Sequence, residues 1–506
     1  MAGNQTSEGD ELCLRNRRRP GRFPWPFHPL TGGIPLVMLV LFACSSARHL
    51  LFHSTAFDLT HFDQAVYLIG QPQAAIVSLT EYHFLGSHAD WILYLIAPLY
   101  WLYPSVYWLF GLQAGALAIA ALPLWALACQ AGLGRSLALA VVSAYWLYPL
   151  VFNINLFDFH PSVFAVPLLF TAVLAARRGR TGAFTLVVVL LLGCRAALSL
   201  TALGLGLWLF LAEGRRRCGA IALGLGSLWL VLSTQWLIPH FSTVGVEALG
   251  RYGFLGDSLP EIALNLLLKP GLVLRHLLTG ANLEYLALLL LPLLWGLSLR
   301  HLTPLLAAGP DLLLNLLTDY PLQKDLLHQY SLPILPFLLL AAIASLAHRR
   351  FWWQQPRWIV LWALVGFLAL AKPGYFWTRY LETLDTWSAT RAAIAQVETS
   401  GPLLTSAQIA PHLSHRPVVK LVTAGAAALE TLEDFDYVLL NLPHPGWNSS
   451  PELAADVRDR LERLPSFSQR YVRDGVFLFV RDAPAGLGHK HRHRTDSAAP
   501  SPVANP

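Results

Sequence analysis

Charge is the property that this chain of 506 residues has least of. Asp, Glu, Lys and Arg together make up 13% of the sequence, whereas hydrophobic residues make up 55%. Soluble domains of ordinary composition carry about 25% charged residues, so a soluble globular class is excluded. The run from Arg48 to Arg135 contains no basic residue between its ends. Long apolar runs that are interrupted by short arginine clusters predict an all-α polytopic membrane bundle.

Motifs for several kinds of soluble chemistry are also missing. The five cysteines form no CxxC pair, so neither a disulfide framework nor a zinc site is predicted. The chain has no Walker loop, no GxGxxG at a strand–helix junction and no Ser-centred hydrolase elbow. Its net charge of +6 is interpreted as the charge of cytoplasmic loops, and no nucleic-acid partner is expected.

The arginine clusters also predict the topology, because cytoplasmic loops are enriched in Lys and Arg. Residues 1–33 form a basic cytoplasmic segment, and residues 34–374 form a membrane domain of about eleven helices with an external loop at 52–104. Within the apolar run from Thr181 to Ala212 the only charged residue is Arg195. Since both flanks of this run are basic, we expect two short helices, or a re-entrant pair, with Arg195 at their outer apex.

The composition changes at about Tyr375, where short strand-like runs begin to alternate with helical stretches. The predicted strands cover 402–405, 418–422, 437–441 and 476–480. Such alternation predicts a small C-terminal α/β domain at residues 375–485, which follows an odd number of spans and is therefore expected to be external. Residues 486–506 are low in complexity and predict a disordered tail.

Polar side chains recur on the predicted outer face, and near a membrane such groups are costly to keep unless they have a function. They include Asp58, His61, Asp63, Gln64, Glu81, His88, Asp90, Asn153, Asp158, His160, Arg195, Lys324, Asp325, His328 and Tyr330. Three interpretations remain open at this point. An aspartate is a general base beside an anionic substrate, histidines and aspartates bind a divalent metal, or the residues are helix caps and turns.

Four segments resemble one family of bacterial multispanning proteins. They are Thr55-Ala-Phe-Asp-Leu-Thr-His-Phe-Asp-Gln64, Gly86-Ser-His88, Asp158-Phe-His-Pro161 and His328-Gln-Tyr330. The chain is similar, over residues 35–480, to the family known as domain of unknown function 2079, DUF2079. This resemblance implies a relation to C-type (GT-C-like) glycosyltransferases, which transfer sugars from lipid-phosphate donors outside the cytoplasmic membrane. In those enzymes an acidic residue of the first external loop is the catalytic base, and here that loop contains Asp58 and Asp63.

The chain departs from the family pattern at Cys194-Arg195-Ala196-Ala197, where many relatives carry Lys-Glu-Asp. The departure keeps a cation and removes two carboxylates. Phosphate binding at Arg195 therefore stays predicted, whereas a second acidic catalytic residue or a metal site at this point does not.

Together the sequence predicts an inverting lipid-linked-sugar glycosyltransferase of C type with a polyprenyl-phosphate sugar donor, at the outer face of the bacterial cytoplasmic (inner) membrane. Asp58 or Asp63 is the predicted catalytic base. The predicted substrate-binding residues are Arg195, His88, Asp90, Asp158, His160, Lys324, His328 and Tyr330. Membrane lipid is the expected partner, no cofactor is assigned, and a divalent metal stays open. Two alternatives remain: a transporter or flippase of a lipid-linked or anionic substrate, and a non-catalytic envelope assembly protein.

Overall fold

The structure is a computed structural model that describes residues 28–348, 355–426 and 429–482. Most of the predicted basic segment at 1–33, the cluster Arg349/Arg350 and the predicted tail at 486–506 lie outside the described residues. Within the described ranges most of the chain is helical, and a small sheet lies near the C-terminal end.

Apolar helices joined by short turns build the larger part of the molecule. The first half of this part contains α1 (His28–Leu50), α2 (His61–Ile69), α3 (Leu85–His88), α4 (Leu93–Leu102), α5 (Tyr107–Ile119), α6 (Ala121–Gln130), α7 (Arg135–Trp146), α8 (Pro149–Leu156) and α9 (Ala165–Arg177). The second half contains α10 (Thr181–Leu192), α11 (Leu198–Leu211), α12 (Arg216–Leu232), α13 (Ile238–Phe241), α14 (Leu259–Leu268), α15 (Pro270–Leu277), α16 (Gly280–Leu290), α17 (Leu305–Leu317), α18 (Leu335–Ala347) and α19 (Pro356–Leu370).

Four helical segments of the described chain are long and apolar enough to cross a membrane: Leu30–Leu50, Tyr107–Gln130, Arg135–Leu156 and Arg216–Phe241. Two bent pairs raise the total to six if each pair is one span: Pro270–Leu277 with Gly280–Leu293, and Pro356–Leu370 with Pro373–Leu381. The other apolar helices have 10–17 residues, whereas a straight span needs about 20. Helix length therefore does not confirm the predicted count of about eleven.

The two helices on either side of Arg195 end where the sequence predicts. Helix α10 ends at Leu192, α11 begins at Leu198, and Arg195 lies in the turn between them. Helix α11 then packs closely against α12 through Gly206 and Gly219, because a Cβ atom on either glycine would lie 2.9 Å from the carbonyl oxygen of the other. Small residues allow two helix backbones to approach in this way.

The connection after α1 folds into a compact structure of its own. It contains a π-helical turn (Ala56–Thr60), α2, a two-stranded ribbon of β1 (Ile76–Val77) and β2 (Tyr82–His83), and then α3 and α4. Seventeen buried hydrophobic side chains form a cluster here: thirteen come from this connection and the others are Val106, Leu109, Phe110 and Phe159, so the loop packs on α5 and on the segment after α8. A loop packed in this way can hold polar side chains in fixed positions.

The C-terminal α/β unit has a five-stranded sheet in the order β4-β3-β5-β7-β6. Its elements are α20 (Leu384–Ile394), β3 (Leu403–Thr405), β4 (Val419–Leu421), α21 (Leu429–Leu432), β5 (Tyr437–Asn441), α22 (Pro451–Leu461), β6 (Phe467–Arg473) and β7 (Val476–Arg481). Strand β3 is parallel to both of its neighbours, whereas β7 is antiparallel to β5 and β6. The structure has strands at all four predicted segments, and β6 is an additional edge strand.

Alternating side chains of the strands face two separate cores, as expected for a sheet covered on both sides. On one face Leu404 and Val438 pack with Leu461 of α22. On the other face Leu403 and Leu439 pack in a cluster that also contains Ala389 of α20 and Ala56 of the first loop. The sheet is therefore packed directly on the loop that follows α1.

Candidate functional site

Asp58 and His160 form the centre of the candidate site. Asp58 lies in the π-helical turn after α1, and its Oδ1 is 3.1 Å from Nε2 of His160, which precedes the helix-starting Pro161. Thr55 donates its hydroxyl to Oδ2 of Asp58 at 3.2 Å. The Asp58 side chain is 27% exposed, whereas that of His160 is 5% exposed. Burial acts to raise the pKa of Asp58, but the hydrogen bonds and charge of His160 and the Thr55 hydroxyl outweigh it and place the pKa below its ordinary value.

Asp158 fixes the turn that carries Asp58. Its buried carboxylate forms an ion pair with Arg48 at the end of α1. The same carboxylate accepts the backbone N–H of Thr55 at 3.0 Å and the Thr55 hydroxyl at 3.1 Å. Asp158 has a φ of 70°, a left-handed conformation that aspartate tolerates better than most residues. The predicted site residue Asp158 thus orients Thr55 beside Asp58 and is itself inaccessible.

Two further histidines of the first loop lie close to this pair: His61 is buried and His88 is half-buried. Burial lowers the pKa of His61 to about 4, against the opposing effect of Asp58. Burial, together with the charge of Arg195, lowers the pKa of His88 well below its ordinary value. Both imidazoles are therefore neutral near pH 7, and each can offer one N–H donor and one acceptor nitrogen to a bound molecule.

Arg195 is held against the first loop by two backbone hydrogen bonds. Ala196 donates its N–H to the carbonyl of His88 at 2.7 Å, and Ile92 donates to the carbonyl of Gly193 at 2.9 Å. Glycine is required at 193 because a Cβ there would clash with the indole of Trp91. The loop containing His88 and the apex containing Arg195 are consequently one packed junction.

Asp90 lies in the same junction. It is 2% exposed, and its Oδ1 has no hydrogen-bond partner among the described residues. Burial raises its pKa to about 8, although the nearby charge of Arg195 acts in the opposite direction. Asp90 is therefore largely protonated at neutral pH and available as a hydrogen-bond donor.

The loop before α18 brings His328 and Tyr330 to the same place. Nδ1 of His328 lies 2.7 Å from Oδ2 of Asp325, within hydrogen-bond distance. The ring of Phe157 lies 4.1 Å from that of His328 and 5.7 Å from that of His160, so it separates the two imidazoles. Tyr330 lies with its ring centroid 5.4 Å from the guanidinium of Arg195. Lys324 is half-buried in this loop, where burial lowers its pKa and the charge of Asp319 partly restores it.

Sequence reasoning missed one cation of this cluster. Arg251, in a 3₁₀ turn (Glu247–Tyr252), lies 4.4 Å from the ring centroid of Tyr320 and 5.2 Å from that of Tyr330. The sequence did contain a signal for Arg251. An arginine on the predicted outer side of the membrane is unusual, because Lys and Arg are enriched in cytoplasmic loops. Arg48 was also missed as the buried partner of Asp158.

Asp63 lies apart from this cluster, although it is only five positions from Asp58. It is 1% exposed and accepts hydrogen bonds from the hydroxyls of Tyr100 and Ser414. Nε2 of His415 is 3.0 Å from the same carboxylate. Asp63 lines a cavity of about 330 Å³ together with His49 of α1, residues 104–107 and residues 411–416 of the C-terminal α/β unit. Asp58, His160 and Arg195 are not among the residues that line this cavity, so long-range packing of the α/β unit separates Asp63 from them.

More contacts accompany Asp63 across this boundary, which we call the seam. Gln64 donates its amide to the carbonyl of Arg416 at 2.9 Å. Ser78 donates its hydroxyl to the carbonyl of Val419 at 2.8 Å. The residues of the seam are Asp63, Gln64, Ser78, Tyr100, Ser414, His415, Arg416 and Val419.

Metal binding was left open by the sequence. In residues 28–348, 355–426 and 429–482, no group of three or more His, Cys, Asp or Glu side chains has an arrangement that could hold a metal ion. The histidines and aspartates of the candidate site are instead engaged pairwise, as in Asp58 with His160 and Asp325 with His328. We therefore derive no step through a metal.

The fold defines a mostly helical polytopic membrane protein with a small sheet near its C-terminal end. A crystal structure of ArnT from Cupriavidus metallidurans bound to undecaprenyl phosphate matches 90% of this chain and 98% of that chain, with a TM-score of 0.51 and 12% sequence identity. At that identity the likeness shows a shared fold. The chain belongs to the DUF2079 family of predicted membrane proteins, whose family model matches residues 48–478. No curated protein matches the sequence. The sequence-based predictions of a multi-pass membrane protein and of this family are thus confirmed.

Proposed function

We propose that this chain transfers a sugar from a polyprenyl-phosphate donor to an acceptor hydroxyl at the outer face of the bacterial cytoplasmic membrane. One observation carries the proposal: a partly exposed, ionised carboxylate at Asp58 and the cation Arg195 act on one group of histidines. Asp58 contacts His160 and opposes the lowering of the pKa of His61, and the charge of Arg195 lowers the pKa of His88, on which His61 and His160 also act. In the described chain no carboxylate oxygen lies within 4.0 Å of Arg195. A base and an unpaired cation are the two groups that this reaction needs. The likeness to a structure of ArnT bound to undecaprenyl phosphate supports a lipid-phosphate ligand.

In the proposed reaction Asp58 accepts the proton of the acceptor hydroxyl. The acceptor oxygen then forms a bond to the anomeric carbon of the sugar, and the bond between that carbon and the phosphate oxygen breaks. The electron pair of the broken bond stays on the phosphate, and the configuration at the anomeric carbon inverts. His160 and Thr55 keep Asp58 ionised and oriented through the hydrogen bonds at 3.1 and 3.2 Å.

The phosphate end of the donor is assigned to Arg195. A guanidinium can bind two phosphate oxygens at once and stabilise the charge that develops on the leaving group. Neutral His61 and His88 and protonated Asp90 provide uncharged donors and acceptors for sugar or acceptor hydroxyls. His328, Tyr330 and the more distant Lys324 complete the proposed substrate-binding set.

The proposed orientation places the N-terminus in the cytoplasm and the C-terminal α/β unit outside it. The reason is that arginine clusters of the sequence fall on alternate turns. Reporter fusions after Gly179 and after Arg379 should therefore report opposite sides of the membrane. Fusions that report the same side would show that the site does not face outward.

The function is tested with the purified full chain in lipid nanodiscs. Undecaprenyl-phosphate-linked sugars are supplied as donors together with a panel of hydroxyl-bearing lipids as acceptors, and both the release of undecaprenyl phosphate and the Kd of each donor are measured. We expect release by the wild-type chain and a loss of about tenfold or more in donor affinity for Arg195→Gln, since a hydrogen bond to a charged group is lost. Arg275→Gln, which removes an exposed arginine of α15, is the matched control. Release that is absent with every donor, or equal in both variants, would contradict the proposal.

A further inference from the structure

We propose that Arg251 is a second phosphate-binding residue and that it acts mainly on the phosphate as it leaves. This inference rests on the proposed function and adds to it a second phosphate-binding residue, so that the two arginines have different roles. Arg195 binds the donor, whereas Arg251 supplies the extra positive charge that the departing lipid phosphate requires.

Arg251 is held in place by three contacts with one loop, residues 319–323. Its guanidinium lies over the ring of Tyr320 at 4.4 Å, and its Nη1 donates to Oε1 of Gln323 at 3.0 Å. Gln323 is itself fixed, because its amide donates to the hydroxyl of Tyr252 and to Oδ1 of Asn315, both at 3.0 Å. The carbonyl of Arg251 accepts the N–H of Asp319 at 3.0 Å. An arginine without a role would not be expected to make all of these contacts, because fixing its side chain costs conformational entropy.

Tyr330 links the two arginines. Its ring centroid is 5.4 Å from the guanidinium of Arg195 and 5.2 Å from that of Arg251. In the described chain, neither arginine has a carboxylate oxygen within 4.0 Å, in contrast to Arg48 and Arg177, which are ion-paired. Both arginines also lower the pKa of His88, after its burial, so their charges reach the same point of the site. Two cations that share a ring and lack protein counterions define a place for an anion.

The charge of the ligand changes during the proposed reaction. In a polyprenyl-phosphate sugar the phosphate is a diester and carries one negative charge. Once the bond to the sugar breaks, the phosphate is a monoester, whose second ionisation has a pKa of about 6, so at pH 8 it carries almost two negative charges. One guanidinium balances the donor, and a second is needed only as the leaving group forms. Interactions that strengthen along the reaction are those that raise kcat.

The test compares two probes on the same nanodisc-embedded chain at pH 8. The probes are undecaprenyl phosphate, a monoester, and an undecaprenyl-phosphate-linked sugar, a diester, and the measured quantity is the Kd of each. For Arg251→Gln we expect about a tenfold loss of affinity for the monoester and at most about a threefold loss for the diester, because one charge-assisted contact is lost from the dianion. Arg251→Lys, which keeps the charge, should restore part of the monoester affinity. Arg275→Gln should change neither Kd.

The possible outcomes distinguish a failure of this inference from a failure of the proposed function. If Arg195→Gln weakens both probes but Arg251→Gln weakens neither, or weakens both equally, the assignment of Arg251 is wrong while the proposed function stands. If Arg251→Gln unfolds, Arg251→Lys is compared with the wild-type chain: a partial loss of affinity confined to the monoester supports the assignment, and unchanged or equally weakened binding of both probes contradicts it. If the wild-type chain binds neither probe, the proposed function fails and this inference fails with it.

Discussion

Two aspartates of the first loop, Asp58 and Asp63, have different surroundings although they are five residues apart. The side chain of Asp58 is 27% exposed, and its carboxylate contacts one imidazole and one hydroxyl. The side chain of Asp63 is 1% exposed, and its carboxylate is surrounded by Tyr100, Ser414 and His415. A carboxylate that is already saturated with donors has little capacity left for a substrate proton. Asp58 therefore suits the role of a base, whereas Asp63 holds the first loop and the α/β unit together.

The comparison shows how one loop can serve two tasks. Thr55 and Asp58 face the helix bundle through Asp158 and His160. The residues from Asp63 onward face the C-terminal α/β unit through the seam. The turn that carries the proposed base is thus clamped between the membrane helices and the sheet, and this rigidity is what positioning of a base requires.

The largest effect on folding is expected where the Asp58 turn meets the bundle. Asp158→Ala leaves Arg48 as a buried charge without its counterion, and breaking such a pair costs about 3–5 kcal/mol. Thermal unfolding of the protein in detergent should therefore shift downward by many degrees. Asp456→Ala, which removes an exposed i,i+4 partner of Arg460, is the control and should shift it little. Equal stability of the two variants would show that Asp158 does not anchor the turn.

A smaller effect is expected at the seam. Asp63→Asn keeps the shape of the side chain but removes the negative charge and one acceptor oxygen for the donors around it. The expected cost is about 1–3 kcal/mol, the usual range for a buried hydrogen-bonding group that loses a partner. Limited proteolysis should cut faster in the connection between α19 and α20, because the α/β unit is held less firmly. The control is Asp385→Asn, which changes an exposed ion pair with His444. Identical proteolysis of both variants would show that Asp63 does not hold the α/β unit on the first loop.

The seam should also respond to pH through His415. Burial acts to lower the pKa of His415, but the carboxylate of Asp63 outweighs it, so the pKa lies above its ordinary value. Tyr67 and Tyr100 face the same ring, at 5.1 and 5.7 Å, and the positive charge of Arg416 opposes protonation. Because the folded pKa is raised, the stabilisation is complete below about pH 6.5 and is lost as pH rises through the folded value. Proteolysis of the wild-type chain should accelerate over that interval, and His415→Gln should flatten the dependence; a slope that survives in His415→Gln would assign the effect elsewhere.

The smallest effect is expected at the edge of the seam. Lys420 and Glu81 form an ion pair there, but the Glu81 side chain is 75% exposed. Exposed pairs contribute at most about 1 kcal/mol and are screened by salt. Glu81→Gln should therefore leave thermal unfolding and proteolysis close to those of the wild-type chain. A shift as large as that of Asp63→Asn would mean that surface charge, and not the buried contacts, seats the α/β unit.

Local sequence features predicted the parts of the structure that depend on local physics. Arg195 interrupts an otherwise uncharged run, so the turn between α10 and α11 could be located. The central strands β3 and β5 are continuous apolar runs and could be recognised as buried. Strand β6 was missed because its sequence, Phe-Ser-Gln-Arg-Tyr-Val-Arg, is that of a polar edge strand with a mostly exposed side.

The role of Asp63 could not be predicted, because its partners Ser414 and His415 lie about 350 residues further along the chain, and nothing in the first loop specifies which segment will pack on it. Arg251 was missed for a related reason. Its place in the site depends on contacts with Tyr320 and Tyr330, which come close to it only through the packing of distant loops. The predicted count of about eleven spans stays unconfirmed, since several apolar helices end after 10–17 residues. Runs of apolar residues show where membrane segments lie but do not show where a helix bends or stops.

The most direct test of this account measures turnover in Asp58→Asn and Asp63→Asn side by side, with the Kd of undecaprenyl phosphate as the second readout. An amide keeps the shape of a carboxylate but cannot accept the proton, and loss of a general base costs about 10²–10⁴-fold in rate. We predict that Asp58→Asn lowers the release of undecaprenyl phosphate from a linked sugar by at least about 100-fold with its Kd unchanged, while folded Asp63→Asn retains most of its turnover. The reverse pattern, with Asp63→Asn inactive and Asp58→Asn active, would place the chemistry at the seam and contradict the account.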